Sequence, residues 1–236
     1  MNGTYDLINE IKRLKKEKNA IILAHVYQDS NIQDIADYTG DSLDLSRKAT
    51  STNADVIVFC GVRFMAETAY LLNPAKTVLL PDEEAGCGLA EMAAVEQLKS
   101  KKKEYPDAAV VSYVNSSAAI KAESDICCTS ANAIDIINSL PQEKILFLPD
   151  KNLGSYVAEH TDKDVFPWDG FCYVHENIKL DQLGQLKKNT SKCRDNCPSR
   201  MYHTCKTFCR FHRQYFADVT ICRFGRTKGV YCWNRR

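Results

Sequence analysis

Two similar rounds of alternating strand and helix patterns constrain the fold of this chain more than any other feature. Short runs of consecutive apolar residues, as in AIILAH (20–25), are typical of strands buried on both faces of a parallel sheet. Between these runs, apolar residues recur at helical spacing, as in residues 5–18. The pattern predicts strands at 20–25, 54–62, 77–81, 108–115 and 144–150, and helices at 5–18, 43–50, 64–73, 89–104, 129–140 and 153–160. Such alternation predicts an α/β fold of repeated three-layer αβα units with parallel sheets.

A constant offset of 88 residues relates the two rounds. His25 ends the first strand of round one, and Ser42 follows 17 residues later at a predicted helix start. Tyr113 ends the first strand of round two, and Ser130 again follows 17 residues later, at the helix predicted from residue 129. Either serine alone is explained as a helix N-cap. The equal spacing favours instead a shared role in binding anions at helix N-termini.

Each round also places a cysteine after its last strand. Cys87 follows the strand in LLPDEEAGC, and Cys172 follows the strand in VFPWDGFC. Ligands of parallel sheets gather at the carboxyl ends of the strands. We therefore expect the two rounds to present an aromatic-type group, a hydroxyl and a cysteine each to one shared interface.

The residues after 190 differ in composition from those before. The net charge of the chain is +1, but it divides into −8 for residues 1–190 and +9 for residues 191–236. The last 46 residues contain six of the eleven cysteines and no leucine, and their only valine or isoleucine residues are Val219, Ile221 and Val230. Such a segment buries too little apolar surface to offset its ordering entropy. We therefore expect repeats at 1–86 and 87–185 and a non-native, poorly ordered tail at 186–236.

Composition also narrows the cellular setting. The near-zero net charge gives the whole chain no attraction to nucleic acid or anionic lipid, and no apolar run approaches the roughly 20 residues of a membrane span. The N-terminus shows no signal peptide, so we expect a cytoplasmic protein with no nucleic-acid or membrane partner. In that compartment, many cysteines indicate metal ligands or reactive thiols. Three of them, Cys60, Cys127 and Cys128, are interpreted as small buried hydrophobic residues.

Seven motifs, in order and at the right separations, carry a family resemblance. They are AHVYQ (24–28), IADYTGDSL (35–43), VIVFCGVRFMAETA (56–69), LLPDEEAGC (79–87), SYVNSSAAIKAESDICCTSANA (112–133), FLPDKNLGSYVA (147–158) and WDGFCYVHE (168–176). From about residue 5 to 185 the chain resembles quinolinate synthase, an iron–sulfur transferase of NAD biosynthesis. The resemblance implies a pseudo-threefold fold, here missing its third domain. It also implies condensation of iminoaspartate with dihydroxyacetone phosphate to give quinolinate, with loss of water and phosphate. L-aspartate oxidase or aspartate dehydrogenase would supply the iminoaspartate.

The resemblance also implies roles for individual residues. Cys87 and Cys172 match two of three thiolate ligands of a 4Fe-4S cluster, which leaves one iron open to act as a Lewis acid. The remaining matches are His25 and Tyr27 as the substrate-facing pair of the first domain, Tyr113 and Asn115 as that of the second, and Ser42 and Ser130 as binders of phosphate or a substrate carboxylate. Tyr27 and Tyr113 can move protons, and His25 can orient or protonate an oxygen.

The motifs of the family's third domain are absent from the amino-acid sequence after residue 190. They reappear when the reading frame is shifted by one base. With suitable synonymous codons, a one-base shift turns Ser191–Met201 into Ala-Asn-Ala-Glu-Ile-Ile-Ala-His-Pro-Glu-Cys. The same shift turns Cys209–Tyr215 into Ala-Asp-Phe-Ile-Gly-Ser-Thr. We therefore interpret residues from about 190 onward as an out-of-frame translation, by a real lesion or a sequencing error. The chain as written lacks the third thiolate ligand and is expected to be inactive.

A rival interpretation takes the tail at face value. Its eleven basic residues could bind nucleic acid. Its cysteines and histidines could form a zinc site, with ligands among Cys193, Cys197, Cys205, Cys209, His203 and His212. The protein would then be a binding module fused to a degenerate enzyme. A catalytically dead regulatory relative is a third alternative.

Overall fold

The computed structural model describes residues 2–179, 181, 221–222 and 232–233. The chain divides into two compact units. Unit 1 comprises Met1–Glu91 and Asn115–Ala119, and unit 2 comprises Met92–Val114 and Ile120–Arg236. The boundaries predicted at 86/87 and 185/186 stay predictions. No helix among the described residues is long and apolar enough to cross a membrane.

Unit 1 is built around a four-stranded parallel sheet of order β2-β1-β3-β4. Its elements are α1 (Asn2–Glu17), β1 (Ala20–His25), α2 (Ser30–Ile35), β2 (Tyr38–Gly40), α3 (Ser42–Ser51), β3 (Val56–Cys60), α4 (Arg63–Leu72), β4 (Thr77–Leu79) and α5 (Gly88–Glu91). Strand and helix residues share one core, which contains Leu23, Leu45, Ile57 and Phe59. Burying each such side chain contributes roughly 1.5–3 kcal/mol to stability. The consecutive apolar runs of the sequence therefore become the central strands.

Unit 2 contains a second four-stranded parallel sheet, of order β6-β5-β7-β8. Its elements are α6 (Val95–Glu104), β5 (Ala109–Tyr113), α7 (Ala118–Ala122, whose first two residues belong to unit 1), β6 (Ile126–Cys128), α8 (Ala133–Ser139), β7 (Lys144–Leu148), α9 (Lys151–Ala158), β8 (Asp164–Pro167) and α10 (Tyr173–Glu176). Every residue of β5 is buried, and Val110, Leu146, Leu148 and Ile120 pack in the core. The predicted α/β class with repeated αβα units is confirmed.

The repeat extends to strand register. Ile21 pairs with Ile57 in unit 1, and Ala109 pairs with Ile145 in unit 2, each 88 residues later. The pairing of His25 with Gly40 likewise recurs as that of Tyr113 with Cys128. The predicted equivalence of the two rounds therefore holds strand by strand.

An aspartate clamp also recurs in both sheets. The Asp37 carboxylate accepts the backbone N–H of Ile22 at 2.8 Å, and the Asp37 N–H donates to the Ile22 carbonyl at 2.9 Å. The Asp125 carboxylate accepts the N–H of Val110 at 2.7 Å, and the Asp125 N–H donates to the Val110 carbonyl at 2.9 Å. Each aspartate lies directly before an edge strand and ties that strand to its neighbour.

Two helix predictions were wrong at their boundaries. The helix predicted at 89–104 is two helices, α5 and α6, which are interrupted at residues 92–94. The helix predicted from 129 begins at Ala133, because the Asn132 side-chain oxygen accepts from the backbone N–H of Thr129 and holds the preceding residues in a turn. The predictions also missed the edge strands β2 and β6, which have only three residues each.

Predictions for the C-terminal segment fall mostly on residues that the structure does not describe. Only the backbone of β9 (Ile221–Cys222) and β10 (Cys232–Trp233), which pair antiparallel, is described there. The poorly ordered tail and the zinc or nucleic-acid module therefore lie outside the described residues.

Candidate active site

The carboxyl ends of the strands in unit 1 carry the predicted substrate-facing residues. His25 is the last residue of β1 and lies opposite Gly40, the last residue of β2. Ser42 begins α3 two residues after that strand, and Tyr27 follows two residues after His25. These side chains therefore belong to the edge where parallel sheets bind ligands.

His25 is buried and neutral at physiological pH. Its side chain is only 7% exposed, and burial lowers its pKa to about 4 against the opposing charge of Asp41. Its Nδ1 accepts the backbone N–H of Tyr27 at 3.3 Å, so the proton of the neutral ring lies on Nε2. His25 can therefore donate a hydrogen bond from Nε2, but it is not an imidazolium general acid at pH 7.

Tyr27 is the most exposed large apolar or aromatic side chain of the described residues, at 71%. Its ring packs edge-on against His25, with centroids 4.6 Å apart and planes at 72°. Aromatic rings favour this edge-to-face arrangement. The contact fixes Tyr27 relative to His25 and leaves most of its surface accessible to a substrate.

Asp41 is a site residue that the sequence analysis missed. Its carboxylate accepts the backbone N–H of Asp44 at 2.9 Å and its carbonyl accepts that of Leu45 at 3.0 Å, so Asp41 caps α3. Ser42 is therefore not the cap of this helix. The Asp41 charge also opposes the binding of anions there, and it opposes a phosphate dianion more than a single carboxylate. The signal in the sequence was an acid directly before the helix, in Gly40-Asp41-Ser42.

The other three predicted substrate residues follow β5 and β6. Tyr113 ends β5, is buried, and lies opposite Cys128. Asn115 is half-buried and starts the short segment that belongs to unit 1, where the Ala118 N–H donates to the Glu67 carboxylate at 2.7 Å. Ser130 is half-buried in the turn before α8, three residues ahead of the helix. The placement of Ser130 at a helix start was therefore wrong.

Cys87 lies at the end of a loop that α4 holds in place. The Arg63 N–H donates to the Ala85 carbonyl at 2.8 Å, and the Arg63 guanidinium donates to the Glu83 carbonyl. Cys87 itself is half-buried against the core of unit 1, and its carbonyl accepts the N–H of Glu91 at 3.1 Å. The thiol therefore directly precedes α5.

Cys172 lies at the equivalent place in unit 2. It is half-buried and is the N-cap residue of α10, and its carbonyl accepts the N–H of Glu176 at 2.9 Å. In the loop before it, Trp168 donates its indole N–H to the Met92 carbonyl at 2.9 Å. The Lys151 N–H donates to the Gly170 carbonyl at 2.7 Å.

The cysteines that match no ligand position, Cys60, Cys127 and Cys128, differ in exposure. Cys128 is buried, and burial raises its pKa to about 12. Cys60 is half-buried, and burial also raises its pKa. The interpretation as buried hydrophobic residues is confirmed for Cys128 and wrong for Cys127, which is exposed at the second position of the edge strand β6.

The chemistry of Cys87 and Cys172 fits two ligands of an iron–sulfur cluster. Both cysteines are half-buried and outside any disulfide, and each follows the last strand of its four-stranded sheet and precedes a short helix. Soft thiolate donors suit iron–sulfur clusters. Within the described residues, no group of three or more His, Cys, Asp or Glu side chains could hold a metal ion. The convergence of these thiols and the substrate-facing residues at one interface stays a prediction.

Comparisons with known proteins point to one family. The family model described as "NadA: Quinolinate synthetase A protein" matches residues 9–210. The chain is 57% identical over 181 residues to "Quinolinate synthase 2" of Methanosarcina acetivorans, which covers 77% of this chain and 58% of the relative. It is 56% identical over 187 residues to "Quinolinate synthase" of Methanoregula boonei, covering 79% and 62%. It is 57% identical over 178 residues to that of Geobacter metallireducens, covering 75% and 59%. The chain thus spans about three fifths of the length of these relatives.

Proposed function

Because the chain belongs to the quinolinate synthetase A family, we propose that it contributes the first two domains of a quinolinate synthase. In this reaction, iminoaspartate and dihydroxyacetone phosphate condense to quinolinate with release of phosphate and water. The observation that carries the proposal is the family match over residues 9–210, which includes every candidate site residue. The placement of equivalent side chains at the carboxyl ends of both sheets supports it.

The chain's own residues have distinct tasks in this proposal. His25 donates from Nε2–H to a substrate oxygen and stays neutral throughout. The hydroxyls of Tyr27 and Tyr113 move protons during the condensation and dehydration steps. Asn115 orients the substrate by its amide, and Ser42 and Ser130 hydrogen-bond its anionic groups. Because the carboxylate of Asp41 beside Ser42 repels phosphate, Ser130 rather than Ser42 is the proposed binder of the phosphate.

Cys87 and Cys172 are the proposed thiolate ligands of a 4Fe-4S cluster. When bound, such a cluster supplies a Lewis acid for a substrate carboxylate or a departing hydroxyl. The burial of both thiols excludes part of the solvent from the ligand sulfurs. L-aspartate oxidase or aspartate dehydrogenase is the proposed source of iminoaspartate.

A one-base shift near codon 190 remains part of the proposal, although the family match extends to residue 210. The 236-residue chain is accordingly proposed to make no quinolinate by itself. The test restores the frame together with its downstream sequence and reconstitutes the protein with iron and sulfide under anaerobic conditions. Quinolinate is then measured from dihydroxyacetone phosphate and iminoaspartate generated in situ.

The restored protein is expected to form quinolinate and the 236-residue chain is not. Inactivity of a folded, iron-loaded restored protein would contradict the proposed function. Robust activity of the 236-residue chain would contradict the frameshift alone. Zinc in the purified 236-residue chain, in place of iron, would favour the metal-binding alternative.

A further inference from the structure

Met92 contacts two residues of the loop that leads to Cys172 and lies close to a third. Its carbonyl accepts the indole N–H of Trp168 at 2.9 Å, and its sulfur accepts the backbone N–H of Phe171 at 3.2 Å. A Cβ added at Gly170 would lie 3.2 Å from the Cβ of Met92. All of these residues belong to unit 2. Met92 therefore binds the loop through its carbonyl and its sulfur, and its Cβ leaves little room for a side chain at position 170.

The bond to the Met92 sulfur involves the backbone amide next to the cysteine. A partly buried N–H without an acceptor costs free energy comparable to a lost hydrogen bond. A thioether is a weak acceptor, but it is the acceptor that the structure provides for Phe171. Leucine would fill a similar volume at this position and would accept nothing.

The opposite side of the loop is fixed by the β7–α9 connection. The Lys151 N–H donates to the Gly170 carbonyl at 2.7 Å, and a Cβ on Gly170 would lie 2.3 Å from the Pro149 carbonyl oxygen. The backbone therefore approaches this connection as closely as only glycine permits. The loop is held between Met92 and residues 149–151.

The position of Met92 in the chain explains how its carbonyl becomes available. Residues 92–94 separate α5 from α6, where sequence periodicity predicts one continuous helix. A carbonyl inside a continuous helix is used by the N–H four residues later. Here the Met92 carbonyl accepts from the indole of Trp168 instead.

We propose that Met92 is a positioning residue for Cys172. Its sulfur and carbonyl hold Trp168–Phe171 so that Cys172 enters α10 in one orientation. The importance of this for cluster binding rests on the proposed function. The positioning itself is measurable in the 236-residue protein without iron.

The experiment compares Met92→Leu, which keeps the volume and removes the acceptor, with Met92→Gln, which keeps an acceptor. Met65→Leu is the matched control, because Met65 is buried in the core of unit 1. The readouts are the exchange rate of the Phe171 amide and the alkylation rate of Cys172 by iodoacetamide, both resolved by peptide mass spectrometry. The exposed Cys127 serves as the internal reference thiol.

Met92→Leu is expected to speed exchange of the Phe171 amide about fivefold, since a hydrogen bond contributes roughly 1 kcal/mol and 1.4 kcal/mol is a factor of ten. The alkylation rate of Cys172 relative to Cys127 should change in the same variant. Met92→Gln should restore both values, and Met65→Leu should leave both unchanged. Equal effects of Leu and Gln at position 92, or no effect of Leu, would overturn the proposal.

Two further measurements keep the outcome clear. If Met92→Leu fails to fold, Trp168→Phe removes the indole donor alone and should speed exchange across residues 168–172. Unchanged exchange in that variant would also overturn the proposal. Full iron content in a reconstituted Cys172→Ser protein would instead remove the proposed ligand role and leave the positioning result intact.

Discussion

The loops that carry Cys87 and Cys172 occupy equivalent places in the two units but are held by different contacts. In unit 1, seven residues separate Leu79 from Cys87, and Arg63 holds that loop by its main chain and guanidinium. In unit 2, only four residues separate Pro167 from Cys172, and the shorter loop is bound on both sides. The position of each thiol thus follows from the shared strand order, whereas the contacts that hold it diverged.

The largest expected effect tests whether the two loops are equally important for the cluster. In the frame-restored protein, Cys87→Ser and Cys172→Ser should each abolish the brown chromophore and the activity, because the hydroxyl is a poor ligand for iron. Iron content and visible absorbance after reconstitution provide the measurement, with Cys127→Ser as the control. Full iron in either variant would show that another cysteine is the ligand.

One glycine in each loop tests whether the Cys172 loop is more tightly packed than the Cys87 loop. Gly170→Ala should destabilise the protein by about 2–3 kcal/mol, because its Cβ would lie 2.3 Å from the Pro149 carbonyl oxygen. Gly86→Ala should cost less than about 0.5 kcal/mol, because its Cβ would meet only the flexible end of Glu91. Urea unfolding of the 236-residue protein measures both. Equal costs would show that the loops are equally constrained.

The ends of β1 and β5 also differ, since one carries a buried histidine and the other a tyrosine. The pKa of His25 is about 4 in the folded protein, against about 6.5 when unfolded, so the unfolded state binds more protons between these values. Stability should therefore fall by about 2 kcal/mol as the pH drops from 6.5 to 4.5. His25→Gln should remove this part of the pH dependence and Ser42→Ala should not. An unchanged slope in His25→Gln would contradict the assignment.

The smallest expected effects distinguish the two serines. In the frame-restored protein, Ser130→Ala should raise the KM for dihydroxyacetone phosphate by about tenfold, the equivalent of one charge-assisted hydrogen bond. Ser42→Ala should affect the KM for iminoaspartate more, because Asp41 at the start of α3 repels a phosphate dianion more strongly than a single carboxylate. Steady-state kinetics with each substrate varied provide the measurement. Unchanged kinetics in both variants would exclude these residues from substrate binding.

The sequence predicted the central strands better than the features that depend on distant contacts. The apolar run of β1 was identified at Ala20–His25, because a strand buried on both faces leaves a continuous pattern. The three-residue edge strands Tyr38–Gly40 and Ile126–Cys128 leave no such pattern. The interruption after α5 was equally hidden, since it depends on Trp168, which lies 76 residues beyond Met92.

For the candidate site, the positions of residues along the strands were predictable from the sequence. The offset of 88 residues pairs His25 with Tyr113 in the sequence, because both end the first predicted strand of a repeat, and the structure places both at these strand ends. The electrostatics of the site were not predictable in the same way. Burial of His25 and the capping of α3 by Asp41 arise only from packing, and together they decide the charge that a substrate meets.

The aspartate clamp implies a fixed interval in the sequence between the clamp aspartate and the next hydroxyl residue. This interval can also be sought in other reading frames of the gene. Asp37 precedes Ser42 by five residues, and Asp125 precedes Ser130 by five, because the clamp fixes the edge strand that leads to each serine. In the proposed shifted frame, suitable synonymous codons place an aspartate at the codon of Arg210 and a threonine at that of Tyr215, again five apart. Under the proposed frameshift, the same hydrogen-bonding requirement would apply in all three repeats. A genomic search for further copies of this repeat can therefore use the five-residue interval from aspartate to hydroxyl residue in every reading frame.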